Sequence, residues 1–217
     1  MSIERDGILV VENCCSPDEC KEISTRLDTI AKPGSRLLLN NDWCQDLAKT
    51  LRMRIAKTCP FLAELVAVQC TYFNKTAETN WSINFHQDRS VPVAVGSARD
   101  DSVSVKEGIT FLQAPDRLLA EMLALRLHLD DANKDNGPLR VLPGSHRHGV
   151  LDEADIPKLR DRIPEQPVTA MAGSVLLMRP LILHASSKAT AASPRRVLHF
   201  VFGPSPRAFG IEWHMAI

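Results

Sequence analysis

The spacing of apolar side chains divides the chain into a helical first third and a strand-rich remainder. Ser16-Pro17-Asp18-Glu19 has the form of a capping box with proline at the first helical position, and it predicts a helix to about Ile30. A second predicted helix begins at Asp42, and apolar residues recur along it every four positions. These residues are Trp43, Leu47, Leu51 and Ile55. Each helix has one apolar face, so both are expected to lie on a sheet.

From residue 66 onwards, short alternating or β-branched runs replace the helical spacing. They are VAVQCTYF, LALRLHLDD, GSVLLMRPLILHA and RRVLHFVF, and glycine, proline, aspartate and asparagine separate them. Only brief helices are expected between them, near PDRLLAEM and EADIPKLRDRI. Strands that do not alternate regularly with helices favour an antiparallel sandwich or barrel that carries its helices outside.

Charge and cysteine content narrow the classes of partner and compartment. Lysine plus arginine and aspartate plus glutamate number 26 each, so no overall field attracts nucleic acid or anionic lipid. Small, neutral partners are expected, with no nucleic acid and no membrane among them. The N-terminal run GILVV is too short for a signal sequence or a membrane span. The six cysteines show no zinc-binding spacing, and they predict reduced thiols in a cytoplasmic protein.

The stretch INFHQD contains the first candidate chemistry. If it is a strand or the end of one, the period of two places His86 and Asp88 on one face and turns Gln87 away. A metal needs a third ligand, and six other histidines are available. His184 is favoured because it closes the apolar run LLMRPLILH. Two histidines and one carboxylate on one face are typical of non-haem Fe(II) oxygenases.

A further motif, NGPLRVLPGSH, lies between these two parts of the site. From the residues alone it is a turn, a short strand and a second turn. Together with HQD before it and HAS after it, the segment resembles the phytanoyl-CoA dioxygenase family of Fe(II)/2-oxoglutarate oxygenases. The resemblance covers about residues 66–202, and the order of its motifs is specific.

The resemblance implies a mainly β protein with a double-stranded β-helix, the jelly roll of cupin-like proteins, and N-terminal helices on its outer face. Residues 1–217 would form a single domain, with a helical support in 1–65 and the jelly-roll core in 66–205. The implied iron ligands are His86, Asp88 and His184. The implied co-substrates are 2-oxoglutarate and O2.

The resemblance also implies an anchor for the far carboxylate of 2-oxoglutarate. Arg195, eleven positions after His184 and directly behind Pro194, matches the family's arginine, and its neighbour Arg196 is the rival. Alternation separates these two arginines onto opposite faces but does not say which face is inside. Ser186 matches a family serine that hydrogen-bonds the same carboxylate.

Two more strands are expected to line the cavity. In LALRLHLDD, the alternation puts Arg126, His128 and Asp130 on one face and the leucines on the other. Arg126 is a candidate for 2-oxoglutarate contact and His128 for substrate contact, with an exposed polar face as the alternative. In VAVQCTYF, Gln69 and Thr71 share a face, and the family uses this strand in the co-substrate pocket.

The remaining candidates concern the substrate. Trp81 and the pair Lys106-Glu107 are places where a substrate could be recognised. The polar stretch between Asp88 and Pro115 shows no pattern and is expected to form a mobile lid. His146, in the PGSH turn, is expected to be structural.

The predicted activity is hydroxylation of a small molecule with release of succinate and CO2, by a monomer or homodimer. Asp88 supports hydroxylation because related halogenating enzymes have a small residue at that position. The alternatives are a non-catalytic jelly-roll binding protein, a demethylase with the same cofactors, and a zinc hydrolase that uses the same three ligands.

Overall fold

The computed structural model describes residues 1–30, 34–76, 80–97, 103–190, 195–205 and 209–217. The strands within these ranges are β1 Ile8–Val11, β2 Val66–Lys75, β3 Ile83–His86, β4 Ser90–Val93, β5 Val103–Lys106, β6 Ile109–Gln113, β7 Leu123–His128, β8 Leu139–Val141, β9 Gln166–Val168, β10 Val175–Met178, β11 His184–Ser186 and β12 Arg195–Gly203. The helices are α1 Ile3–Asp6, α2 Pro17–Ile30, α3 Asp42–Ala56, α4 Asp116–Leu119 and α5 Asp155–Arg160. Single 3₁₀ turns occur at Leu38–Asn40, Pro60–Glu64 and Ser145–His148.

The strands form three antiparallel sheets. The large sheet has the order β1-β10-β7-β12-β2, the small sheet β3-β11-β8-β9, and the third sheet β4-β6-β5. Apolar side chains of the large sheet (Ala124, Leu176) and of the small sheet (Leu139, Val141) pack in one cluster. The two sheets therefore face each other across a common interior, which confirms the predicted jelly roll.

Alternation along the large sheet separates an apolar face from a polar one. In β7 the leucines Leu123, Leu125 and Leu127 belong to the main core cluster, together with residues of α2 and α3. Arg126 and His128, between and beyond them, are buried on the other side of the strand. The helices therefore cover the outer face of the large sheet, as predicted, and the polar face is turned into the barrel.

The two predicted N-terminal helices are confirmed, with one change of face. In the capping box, the Ser16 amide donates to Glu19 (2.7 Å) and the Glu19 amide donates to the Ser16 hydroxyl (3.2 Å). In α3 the fully buried residues are Cys44, Ala48, Leu51 and Ile55, whereas Trp43 and Leu47 are only partly buried. A strict spacing of four drifts around a helix of 3.6 residues per turn, so the buried face follows alternating steps of four and three.

Two parts of the chain differ from the expected strands. The run GILVV forms β1, which was not predicted, and Ile8 of β1 lies opposite Met178 of β10. The run LLMRPLILHA is two strands rather than one, because β10 ends at Met178 and β11 begins at His184. The two strands lie in different sheets, so His184 opens a strand of the small sheet instead of closing one of the large sheet.

The stretch between Asp88 and Pro115 is more ordered than its polar composition suggested. It contains β4, β5 and β6, which make up the third sheet; residues 98–102 lie outside the described ranges. Glu107 (φ 52°) and Gly108 (φ 78°) form the two-residue turn between β5 and β6, and such consecutive positive φ values are typical of a type I′ hairpin.

The cysteines agree with the expected reduced state. All six are buried and free. Within the described ranges, the helices are too short or too polar to cross a membrane.

Candidate active site

His86, Asp88 and His184 converge on one point at the mouth of the barrel. One side-chain atom from each of the three lies within 4.8 Å of the others. The Nε2 atoms of His86 and His184 are 3.7 and 3.6 Å from the two carboxylate oxygens of Asp88. The centroids of the two imidazole rings are 4.2 Å apart, and the ring planes are tilted by 49°. The sequence-predicted triad is thus assembled from residues 98 positions apart in the chain.

Backbone carbonyls fix which nitrogen of each histidine is available. Nδ1 of His86 lies 2.8 Å from the Asn84 carbonyl oxygen, and Nδ1 of His184 lies 3.0 Å from that of Ile182. A carbonyl only accepts, so each Nδ1 must carry the proton of this hydrogen bond. Both Nε2 lone pairs are then directed towards Asp88, as in histidines that ligate metals.

Charge and burial keep this cluster in the state that binds a cation. Burial lowers the pKa of His184 to about 4, against the opposing effect of Asp88. Burial raises the pKa of Asp88, but the positive charge available to His184, His199 and His86 outweighs it, and the net pKa is below its usual value. At neutral pH the site therefore offers a neutral imidazole at His184 and a carboxylate.

The NGPLRVLPGSH segment holds the second histidine in place. Its strand β8 pairs with β11, so that Val141 lies opposite His184, while His86 of β3 lies opposite His184 on the other side. The Ser145 hydroxyl accepts a hydrogen bond (2.8 Å) from the amide of Leu183, the residue before His184. The physical role of the motif is therefore to fix the start of β11.

Gln87, between the two ligand candidates, is turned away from them. Its amide nitrogen donates to the carbonyls of Gly149 (2.8 Å) and Leu181 (2.7 Å). Its amide oxygen accepts from the Leu151 amide (2.9 Å). These three bonds tie the loop that carries Asp88 to two neighbouring loops. The amide of Asp88 itself donates to the Pro180 carbonyl (3.0 Å).

A cavity of about 300 Å³ opens beside the triad. Apart from the triad, the sequence-predicted residues on its wall are Gln69, Thr71, Trp81, Lys106, Arg126, Ser186 and Arg195. The Gln69 amide donates to the Thr71 hydroxyl (2.8 Å), which joins these two side chains as the alternation along β2 predicted. Seven cavity-lining residues besides the triad were therefore predicted from the sequence.

Besides Glu107, His128 is the predicted residue that the structure does not bring to the cavity wall. It is 2% exposed, is not among the lining residues, and neither ring nitrogen has a hydrogen-bond partner within the described ranges. Burial, with Arg126 and Arg195 nearby, lowers its pKa to about 3. His128 is consequently a neutral buried side chain. Its position on the polar face of β7 could not distinguish a place on the cavity wall from a place in the core beside the cavity.

The two neighbouring arginines at the start of β12 have opposite surroundings. Arg196 forms a paired interaction with Asp130, at 2.7 and 2.9 Å. Asp130 lies beyond the end of β7, so the alternation that placed it with Arg126 does not extend to it. Arg195 is 4% exposed and lines the cavity, and its Nε and Nη1 atoms have no partner within the described ranges. Pro194 lies outside those ranges.

Arg195 and Arg126 are buried without carboxylate partners, and burial lowers the pKa of each guanidinium. Burial lowers the pKa of Arg195 to about 10, and burial together with Arg195 lowers that of Arg126 to about 10. Both nevertheless remain charged at neutral pH. An unpaired buried charge is costly, so this wall favours the binding of an anion.

His199 lines the cavity but was not singled out from the sequence, and neither was Lys75, a buried neighbour of Arg195. Nδ1 of His199 is 3.1 Å from Nη1 of Arg126, and its Nε2 is 3.8 Å from the Asp88 carboxylate. Lys75 is buried beside Arg195, its ammonium donates to the Ser187 carbonyl, and burial lowers its pKa to about 8. Alternation along β12 puts His199, four positions after Arg195, on the same face as that arginine, and this is the signal that was available. Lys75 gave none, because its strand partner lies 120 positions away.

The residues present fit an iron ion and 2-oxoglutarate. Two imidazoles and a carboxylate are the donor set of non-haem Fe(II) sites with open positions. The unpartnered Nε and Nη1 atoms of Arg195 offer donors for a carboxylate in the same cavity, and Ser186 lies on the same wall.

The chain matches one protein family and is similar to individual enzymes. The family model described as phytanoyl-CoA dioxygenase (PhyH) matches residues 3–197. The ectoine dioxygenase of Nocardia farcinica (strain IFM 10152) is 23% identical over 93% of this chain and 75% of that protein. The L-proline trans-4-hydroxylase of Streptomyces griseoviridis is 29% identical, but the match covers only 34% of this chain and 37% of that protein.

A solved structure shows the shared fold. The epimerase SnoN, in complex with Fe3+, alpha ketoglutarate and nogalamycin RO, is 18% identical, and the alignment has a TM-score of 0.70. It covers 94% of this chain and 81% of SnoN. At this identity the likeness concerns the fold.

Proposed function

Because the chain belongs to the phytanoyl-CoA dioxygenase family, we propose that it is a non-haem Fe(II)- and 2-oxoglutarate-dependent dioxygenase. It hydroxylates a small molecule and releases succinate and CO2. The observation that carries the proposal is the position of an unpaired buried arginine, Arg195, in the same cavity as the convergent triad. A metal-binding module alone would not need a buried cation beside its ligands.

In this proposal His86, Asp88 and His184 hold the iron. The carbonyls of Asn84 and Ile182 orient the two imidazoles so that Nε2 is available without loss of a proton. Asp88 contributes the negative charge, and its loop is held by the hydrogen bonds of Gln87. When bound, iron and 2-oxoglutarate supply the activation of O2 that no protein side chain can supply.

Arg195 holds the far carboxylate of 2-oxoglutarate. Its planar guanidinium can form two parallel charge-assisted hydrogen bonds with a carboxylate, and Ser186 adds a hydroxyl donor from β11. Arg126, Gln69 and Thr71 form the adjoining wall and limit how the co-substrate can be oriented. His199 accepts from Arg126 and so keeps that guanidinium against the wall near Asp88.

The substrate is a small molecule that enters beside Trp81. The presence of a carboxylate at position 88 supports hydroxylation rather than halogenation, since no position is left open there for chloride. Apolar side chains of both sheets fill the barrel interior, so the cavity has a packed apolar floor of core residues and the polar groups of the site are held on a fixed scaffold.

The composition of the chain supports a proposal for its compartment and partners. Six buried reduced thiols support a cytoplasmic location. The balanced net charge supports the absence of a nucleic-acid partner. We expect a monomer or homodimer.

The test is conversion of 2-oxoglutarate to succinate by the purified protein with Fe(II) and O2. We expect succinate from the wild type and none above background from Asp88→Ala, because the carboxylate ligand is lost. His148→Ala, which changes an exposed histidine outside the cavity, is the matched control and keeps full turnover. Full turnover in Asp88→Ala would overturn the proposal.

A further inference from the structure

The charge of the cavity wall is strongly unbalanced, although the whole chain is neutral. Five cationic side chains and one carboxylate, Asp88, line it. The cations are Arg36, Arg89, Lys106, Arg126 and Arg195. A divalent iron and doubly charged 2-oxoglutarate cancel each other, so binding both leaves this excess of positive charge in place. Arg126 and Arg195 are placed to face the co-substrate, and the other three cations are left without an assigned role.

These three cations lie on or beside the third sheet, and we call them the rim cations. Arg36 and Lys106 are at the β5–β6 turn, whereas Arg89 is at the opposite end of β6, beside Ala114. Arg89 directly precedes β4, and Lys106 ends β5. Arg36 is joined to the β5–β6 turn, because its amide donates to Glu107 (2.7 Å) and its guanidinium is 3.9 Å from the same carboxylate. Arg36 is therefore partly neutralised, whereas Arg89 and Lys106 form no salt bridge within the described ranges.

Arg89 is the best-placed of the rim cations. It follows the ligand candidate Asp88 by one residue and lines the cavity. Its Nε atom is fully buried and has no hydrogen-bond partner in the part of the chain that is described. A buried donor of this kind costs free energy unless a ligand satisfies it, so its retention at a cavity wall indicates a ligand. Its backbone is held firmly, since the Arg89 carbonyl accepts from Ala114 (2.9 Å).

The wall beside the rim cations is apolar. Val91, Phe111, Leu119 and Met122 line the same cavity. The ammonium of Lys106 lies 5.3 Å from the centroid of the Phe111 ring, so charge and apolar surface adjoin at the mouth. A cavity of about 300 Å³ that must also hold 2-oxoglutarate leaves space for a small molecule only.

We propose that the primary substrate is a small organic acid, whose carboxylate is bound by Arg89 while its apolar part packs on the adjoining apolar wall. The inference rests on the proposed function and adds the substrate class. It revises the expectation of a neutral partner, which came from the charge of the whole chain. A planar carboxylate matches the guanidinium fork, and the small volume argues against a larger phosphorylated compound.

The test measures binding rather than turnover. Protein loaded with redox-inert Ni(II) and saturated with 2-oxoglutarate is titrated calorimetrically with hexanoate, cyclohexanecarboxylate and phenylacetate, each compared with its primary amide, and with phenyl phosphate. We expect at least one acid to bind about tenfold or more tightly than its amide, as for a charge-assisted hydrogen bond. Arg89→Gln should reduce this preference, and Arg89→Lys should retain part of it.

Two exposed cations outside the cavity provide controls. Arg162→Gln and Lys134→Gln should leave the preference for the acid unchanged. Equal binding of every acid and its amide, an unchanged preference in Arg89→Gln, or binding of phenyl phosphate alone would overturn the inference. Loss of 2-oxoglutarate affinity in Arg89→Gln would also overturn it, because Arg89 would then belong to the co-substrate. Failure of the wild type to bind Ni(II) and 2-oxoglutarate would overturn the proposed function and this inference with it.

Discussion

The two faces of the large sheet are made by the same strands but have opposite chemistry. On the outer face, Leu125, Leu198 and Phe200 pack against α2 and α3 in one apolar cluster. On the inner face, Arg126, Arg195 and His199 are equally buried, and Arg195 keeps donors without partners. The outer face is satisfied within the protein. The unpartnered donors of the inner face are available to an anion that binds in the cavity.

In this fold the outer face of the large sheet provides stability, and the inner face provides part of the binding site. Burial of apolar side chains on the outer face stabilises the folded state. Burial of unpaired cations on the inner face costs stability, which is the common relation between binding sites and the scaffold that supports them. Substitutions on the two faces should consequently separate binding from folding.

The largest expected effect comes from the inner face. Arg195→Met should weaken 2-oxoglutarate binding on the order of a thousandfold, because one partner of a buried charged pair is lost. The free energy of unfolding of the ligand-free protein should stay the same or rise, since an unpaired buried charge is removed. Calorimetric titration and urea denaturation measure the two quantities. Arg196→Met is the matched control, and it should leave 2-oxoglutarate affinity unchanged because Arg196 pairs with Asp130.

The reverse result is expected on the outer face. Leu51→Ala in α3 removes a side chain that is 0% exposed and should lower the free energy of unfolding by about 3 kcal/mol. Affinity for 2-oxoglutarate should be unaffected at temperatures where the protein is folded. A large loss of affinity in this variant would contradict the separation of the two faces.

The pH dependence of stability gives a smaller effect from the inner face. His128 has a pKa of about 3 in the folded protein, against 6.5 ordinarily. Below pH 6.5 the unfolded chain gains a proton at this residue and the folded protein does not, so stability is lost as the pH falls from 6.5 towards 3. Between pH 6.5 and 5 the loss is at most about 2 kcal/mol.

Urea denaturation at pH 7, 6 and 5 checks this prediction. His128→Leu should lose less stability over the range than the wild type, because the neutral side chain has no proton to gain. His148→Leu, at an exposed histidine, should follow the wild type. Identical slopes for wild type and His128→Leu would show that His128 does not titrate in this way.

The smallest effect lies at the edge of the outer layer. Ser16→Ala removes the hydroxyl that accepts from the Glu19 amide at the start of α2. It should lower the free energy of unfolding by about 1 kcal/mol and leave ligand binding unchanged. Ser16→Asp, which preserves a capping acceptor, should restore most of the stability in thermal denaturation.

Structural features that depend only on residues close together in the sequence could be predicted from local patterns. The capping box predicted α2, and alternation separated Arg126 from the leucines of β7, although only the family resemblance indicated which face is inside. The hairpin turn at Glu107-Gly108 was also readable, since a glycine-containing two-residue loop between alternating runs is a hairpin signal, but the polar composition of the stretch obscured it.

Long-range pairing was beyond local patterns. No periodicity indicates that His184 lies opposite His86, because the register is set by β8 and by the hydrogen bond from Leu183 to Ser145. The same holds for Arg195 beside Lys75. The separation of Arg195 from Arg196 followed from alternation, but which of them faces the cavity depends on the salt bridge with Asp130, a residue beyond the end of its strand.

The most direct test of the central claim is an anaerobic titration of the protein with Fe(II) in the presence of 2-oxoglutarate, followed by visible absorption. We expect a charge-transfer band that saturates at one iron per chain and that requires both Fe(II) and 2-oxoglutarate. In Arg195→Met the band should appear only at far higher 2-oxoglutarate concentration. Absence of the band in the wild type, or an unchanged 2-oxoglutarate dependence in Arg195→Met, would contradict the account.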